Sequence, residues 1–142
     1  MKIQAAVLSC LLAGCAASQS GAPATSPPQL EGTTWSLATA TDSKGVIAAL
    51  VNKPGKPLSV QFEAGRIGVR ETCNVLNGQY VLTGNTMKID RMISTMMACE
   101  PALMQADSEI ARQLEGSSKV DMAGEQLVLK TAQGATLSFD RK

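Results

Sequence analysis

Polar and apolar residues alternate in short runs along most of this chain. Trp35 and Leu37 alternate with Thr34 and Ser36; Leu58, Val60 and Phe62 repeat the two-residue period, and so do Ile67 and Val69. A period of two places successive side chains on opposite faces of an extended strand, so each run predicts a half-buried β-strand. The turn Glu63-Ala64-Gly65-Arg66 joins the second and third runs into a predicted hairpin. Residues 79–82, the turn Thr83-Gly84-Asn85 and residues 87–89 predict another. Toward the C-terminus, residues 119–122, 127–129 and Leu137 with Phe139 are divided by Ala123-Gly124-Glu125 and Ala132-Gln133-Gly134, the pattern of a three-stranded meander.

One segment carries a different period. Leu103, Ala106, Ile110 and Leu114 are spaced by three, four and four, which puts them on one face of a helix of about four turns. Pro101 suits its first position, Glu100 complements the N-terminal dipole, and Gly116 is placed to end it. Asp107, Glu109, Arg112 and Gln113 are then expected to face water. Residues 42–57 hold two prolines and weak periodicity, and read as a long mobile connection between the first two strands. The fold predicted is α+β: a strongly curved antiparallel sheet or open barrel of about seven to eight strands, with one helix packed on it.

The first residues follow another logic. Lys2 precedes a mainly apolar stretch from Ile3 to Leu12, too short to span a bilayer. Leu12-Ala13-Gly14-Cys15 follows, with small residues before a Cys, which is the signature of the bacterial lipobox. Residues 1–14 are read as a lipoprotein signal peptide. Cys15 is the expected lipidation site, its thiol taking a diacylglycerol and its new amino group a further acyl chain. At about 0.8 kcal/mol per buried CH2, several chains form a lasting membrane anchor. Ala16, where Asp would signal retention in enterobacterial-type sorting, resembles an outer-membrane destination facing the periplasm. Residues 15–29 are small, polar and Pro-rich, a composition that cannot bury a core and predicts a flexible tether to a domain at residues 30–142.

Charge and composition narrow the chemistry. Thirteen Lys plus Arg against 12 Asp plus Glu leave a net charge of +1, which is no electrostatic footprint for nucleic acid. Lys44, Lys53, Lys56, Arg66 and Arg70 are accordingly read as a solvated surface. Trp35, Phe62, Tyr80 and Phe139 are the whole aromatic complement, and there is no His to serve as general base or metal ligand. Trp35 is read as a core anchor. Of four cysteines, Cys10 leaves with the signal peptide and Cys15 is lipidated. Cys73 and Cys99 remain, 26 positions apart, in an oxidising compartment where a pair is expected to join. Such a loop closure is worth roughly 3 kcal/mol in the chain-entropy account. Two buried free thiols are the alternative; a redox pair usually takes the Cys-x-x-Cys spacing that is missing here.

The order of motifs resembles a known family. Leu30-Glu31-Gly32-Thr33-Thr34-Trp35 opens the domain, Cys73-Asn74-x-x-Asn77-Gly78-x-Tyr80 lies at mid-chain, and Ser94-Thr95-Met96-Met97-Ala98-Cys99 precedes the helix. This pattern is similar to the META domain family, whose bacterial members include the heat-shock protein HslJ and many lipoproteins. The resemblance gives Trp35, Asn74, Gly78, Tyr80, Ser94, Thr95, Met97 and Ala98 structural roles. It implies a compact β-rich fold without established enzymatic activity, and loose links to envelope stress and antibiotic tolerance. Members often carry Gly just before the Cys-Asn pair and another nearby upstream. Here Thr72 and Glu71 stand there, so the local turn is expected to differ.

Candidate chemistry is thin. Cys73, Ser94 or Thr95 as a nucleophile would need Lys, Asp or Glu as base, and no Ser-x-x-Lys motif occurs in the domain. Backbone hydrogen bonding beside the cysteines is the stronger reading of Asn74, Ser94 and Thr95. Met87, Met92, Met96, Met97 and Met104 could offer thioethers to Cu(I), but Met is also a common core filler. The expectation is therefore no catalytic residue, no metal and no cofactor. The expected partners are a membrane, through the N-terminal lipid, and a protein or small hydrophobic ligand, with no nucleic acid. Two functions follow: a binding or accessory lipoprotein of the cell envelope, or an inhibitor of an external lysozyme or protease acting through a protruding loop at residues 42–57.

Overall fold

The computed structural model describes residues 26–142. The signal segment, Cys10, Cys15 and most of the 15–29 tether lie outside the described residues. Ten strands and two helices follow in the order β1 Thr33–Asp42, β2 Gly45–Val46, α1 Ala48–Val51, β3 Ser59–Glu63, β4 Arg66–Arg70, β5 Leu76–Thr83, β6 Thr86–Ile89, β7 Ile93–Ser94, α2 Pro101–Leu114, β8 Gly116–Ala123, β9 Gln126–Lys130 and β10 Thr136–Arg141. Every pairing is antiparallel. The sheet runs β10-β9-β8-β6-β5-β4-β3-β1, and β1 pairs again with β10, so eight strands close into a barrel. The short β2 extends from β1, and β7 lies along the start of β5.

The two-residue period decides what fills the barrel. Trp35, Val60, Phe62, Ile67, Val69, Leu76, Met87, Ile89, Val120, Leu127, Leu129, Leu137 and Phe139 are all buried. Each buried large apolar side chain contributes about 1.5–3 kcal/mol. A register shift between Leu37 and Thr39 in β1 bends that strand where it closes on β10. Gly78 faces inward because a Cβ there would stand 3.1 Å from Ile89 Cγ2 and 3.4 Å from Met92 Cγ.

Because neighbouring strands alternate in direction, the connections sort to two ends. The hairpin turns after β3, β5 and β8 lie at one, together with the entry of the chain at Leu30. The other end receives the close of β1, β4, β6 and β9, and both helices. Contacts with the residues just outside β5, β6 and β9 lay α2 across this second end, with Ile110 and Leu114 in the core. Pro101 opens α2 and Glu100 caps it in an extended conformation, φ −60° and ψ 149°.

Two expectations are corrected. Residues 42–57 are not a loose connection: β2 pairs with β1, and α1 packs on α2 and β1 with Leu50 buried. Asp107 and Gln113 do not face water; both are buried, because the apolar face of α2 is wider than its four apolar residues imply. Before Cys73, Glu71 takes a left-handed conformation, at φ +67°.

The β3–β4 hairpin shows what the backbone asks of its turn. Glu63 pairs with Arg66 around a two-residue loop in which Ala64 and Gly65 have φ +50° and +70°. Positive φ at both positions is the type I′ geometry, which favours Asn-Gly and strains an Ala. Ala64→Asn is therefore expected to stabilise the fold by about 0.5–1 kcal/mol in urea unfolding, given the ~1–2 kcal/mol left-handed cost for ordinary residues.

Candidate functional site

The family-type residues converge on the helix-covered end of the barrel. Cys73 and Cys99 are disulfide-bonded, with Cα atoms 5.7 Å apart. Between them, the segment after β7 is held from behind by Asn74. Its Oδ1 accepts from Met97 N at 2.7 Å and from Thr95 Oγ1 at 2.9 Å. Its Nδ2 donates to Asp107 Oδ2 at 2.8 Å and to the Met97 carbonyl at 3.4 Å. The Asn74 backbone N–H donates to the same Asp107 carboxylate, at 3.0 Å to Oδ2 and 3.2 Å to Oδ1. Thr95 exchanges bonds with Val75, its N–H donating to the carbonyl at 3.2 Å and its hydroxyl accepting from the N–H at 3.1 Å.

The result is a rigid loop whose backbone is fastened inward while its side chains point out. Met96 is 98% exposed and Met97 61%; Ile93 before them and Met104 on α2 are exposed as well. Surface methionines held on a fixed backbone are adaptable apolar contact groups. The five methionines do not act together, since Met87 and Met92 are buried. Ser94 stands apart from the Asn74 network, its hydroxyl donating to the Thr95 carbonyl at 2.8 Å, and Ala98 is exposed. Among the described residues, neither the Ser94 nor the Thr95 hydroxyl hydrogen-bonds a carboxylate or an amine. Among the described residues, no group of three or more His, Cys, Asp or Glu is placed to hold a metal ion.

Of the other three motif residues, Gly78 lies in the barrel wall, and Trp35 and Tyr80 work at the opposite end. Trp35 is fully buried; its indole Nε1 donates to Thr33 Oγ1 at 2.7 Å, and the Arg141 guanidinium lies 5.6 Å from the ring centroid. Tyr80 packs edge-on against Phe62, centroids 5.2 Å apart, and its hydroxyl donates to Glu31 Oε2 at 2.9 Å. Glu31 also accepts from the N–H groups of Ala64 and Gly65, so one carboxylate ties the incoming chain to a hairpin turn and to β5. Asp107 and Glu31 are the residues sequence reading missed. Asp107 had a visible signal, since it lies four residues after Leu103 and three before Ile110 and so borders the apolar stripe.

Electrostatics follow these contacts. The bond from Tyr80, with the backbone donors, holds the Glu31 carboxyl below its ordinary range. Burial, then the hydrogen bond to Glu31 and its negative charge, push the Tyr80 phenol up to about 12. The folded pKa lies above the unfolded value of about 10, so the stabilisation is complete below that pH and is lost as pH rises from there through the folded value. Tyr80 is the single tyrosine, so tyrosinate absorbance reads it alone. The midpoint is expected at about 12 in the folded chain and lower in Glu31→Gln. A second expectation concerns the loop. Asn74→Ala should cost about 2–3 kcal/mol by leaving buried partners unsatisfied, and should speed hydrogen exchange at the Met97 amide.

The comparisons with known proteins fit this geometry. A family model described as META domain matches residues 28–142. No curated protein matches the chain. Among solved structures, an NMR structure of a protein from Burkholderia xenovorans is 23% identical with a TM-score of 0.66, covering 89% of this chain and 97% of that one. A second NMR structure is also 23% identical, with a TM-score of 0.58, covering 78% of this chain and 90% of the other. At that identity the likeness is one of fold.

Proposed function

The chain belongs to the META domain family, a non-catalytic fold, and from that premise we propose that it is a cell-envelope lipoprotein whose domain is a binding or accessory module. In this reading residues 1–14 are removed, Cys15 carries the lipid, residues 15–29 are the tether and residues 30–142 are the working domain. Ala16 supports an outer-membrane position facing the periplasm. The observation that carries the binding role is the loop from Thr95 to Cys99. Asn74, Asp107 and the disulfide immobilise its backbone, yet Met96 and Met97 stay in solvent. Ordering a loop costs conformational entropy, and a loop ordered beforehand loses little more when it meets a partner. Its surface suits an apolar patch on a protein or a small hydrophobic ligand. A role in envelope stress or antibiotic tolerance rests on the family likeness.

The inhibitor reading needs a protruding loop at residues 42–57. That segment is tied down by β2, α1 and buried Leu50, so it is not favoured.

Two measurements test the proposal. Cys15→Ser should abolish radiolabelled palmitate incorporation and release the chain from the membrane fraction; retained label would remove the anchor. A photo-reactive residue at Met96 should give a discrete crosslinked product in intact cells that one at Gln126, on the opposite end, does not. Identical patterns from the two positions would remove the binding role.

A further inference from the structure

A second site is built around a lysine expected to lie at the solvated surface. Lys53 follows α1 and is only 9% exposed, unlike Lys44, Lys56, Arg66 and Arg70. Its Nζ donates to the Pro54 carbonyl at 3.3 Å and to the Lys56 carbonyl. These are neutral acceptors, and an ammonium has three hydrogens to place. Among the described residues, the ion pairs are Lys88 with Asp90 and Arg112 with Glu109, so Lys53 has no carboxylate at that range. The field of Glu71 reaches it from farther away. Burial lowers its pKa, as expected for a cation withdrawn from water with incomplete compensation.

Lys53 and Lys56 border a pocket of about 170 Å³ that is also lined by Leu37, Leu50, Val51 and Leu58. A cavity of about 150 Å³ suffices for a benzene-sized molecule. Val51 is an exposed apolar residue at this same pocket.

We propose that this pocket binds a small monocarboxylate with a compact apolar body, its carboxylate on the Lys53 ammonium and its body against Val51 and Leu37. The chemistry selects the ligand. A buried cation with no carboxylate in direct contact is costly, and an entering carboxylate supplies both that contact and an acceptor for the remaining hydrogen. Lys56 adds a second positive charge, which favours an anion over a neutral or cationic guest. Val51 and Leu37 give the guest an apolar wall that a hydrated ion such as phosphate would not use. The site shares no residue with the Met96–Met97 loop and does not depend on lipidation.

Benzoate and benzyl alcohol test it, being nearly the same size and differing in charge. Titrated into the full chain and followed by methyl NMR, benzoate should shift Leu37, Leu50, Val51 and Leu58 saturably. Benzyl alcohol should bind at least roughly tenfold weaker, the difference expected of a hydrogen bond to a charged group. Lys53→Gln should erase that preference while leaving the Met97 amide signal unmoved. The contrast between the two ligands on the unaltered chain stands even if the variant misfolds. No saturable benzoate shift, equal affinity for the two ligands, or shifts confined to Met96, Met97 and Met104 would each overturn the site. In the last two cases the binding role of the methionine loop survives, because its crosslinking test does not involve Lys53.

Discussion

Everything in this fold depends on one strand pairing, that of β1 with β10, which turns a curved sheet into a closed ring. In an open sheet the first and last strands would each leave a row of unpaired N–H and C=O groups. Here residues from Trp35 to Thr41 pair with residues from Arg141 back to Thr136, and the eight main strands leave no free edge among them. Closure has a consequence for the ends. A barrel interior packed with Trp35, Phe62 and Phe139 is exposed to water at both mouths unless something covers them. Leu30, with Glu31 pinned to Tyr80 and the β3–β4 turn, closes the one where the chain enters. Helix α2 closes the other. Of the motif residues, Tyr80 serves the first closure through Glu31, and Asn74 serves the second through Asp107.

The helical lid brings polar groups out of water, and each must be satisfied where it stands. Asp107 receives three N–H bonds from Asn74, one from the side chain and two from a forked backbone contact. Gln113 accepts from Thr131 Oγ1 at 2.9 Å and donates to Glu109 Oε1 at 2.9 Å. Both pairings are local to the lid and set amide and hydroxyl donors against the Asp107 and Glu109 carboxylates and the Gln113 amide oxygen, so they add directionality to apolar packing that would otherwise let α2 slide. Lys53 is held in the same manner, by two backbone carbonyls and, like Asp107, with no ion pair among the described residues. Lys53 also borders a cavity, and that cavity is where the proposed carboxylate would sit.

Much of the architecture was legible in the hydrophobic pattern because strands seldom disguise a period of two. The β3–β4 and β5–β6 hairpins, the final meander and α2 with its apolar stripe follow directly from it. What stayed hidden did so for specific reasons. The four-residue α1 is too short to show a helical period, so residues 42–57 looked structureless although Ile47 and Leu50 are core residues. Asp107 and Gln113 sit on the buried face of α2, but polar residue types masked their position. Lys53 was hidden by the same habit of reading charge as exposure, since nothing in Asn52-Lys53-Pro54 announces that the side chain turns back onto the carbonyls after it. The turn before Cys73 was half legible: a left-handed residue stands there, but it is Glu71, a residue type that does not advertise that conformation.

The two ends of the barrel also differ in what they can reach. The eight residues of β5, at about 3.3 Å each and tilted by roughly 40°, separate the ends by roughly 20 Å. The chain enters at the hairpin end, beside Leu30 and the turns after β3, β5 and β8. On the proposed lipid anchor, the attachment point and the Met96–Met97 loop therefore lie at opposite ends of a rigid body. A partner meeting the methionines approaches from the side away from the attachment, and the tether need not fold back to allow it. The Lys53 pocket opens on that same distal end, next to α1 and the close of β1. With the proposed lipid anchor at one end and the two proposed recognition features at the other, the barrel would act as a spacer, its shape fixed by the β1–β10 closure.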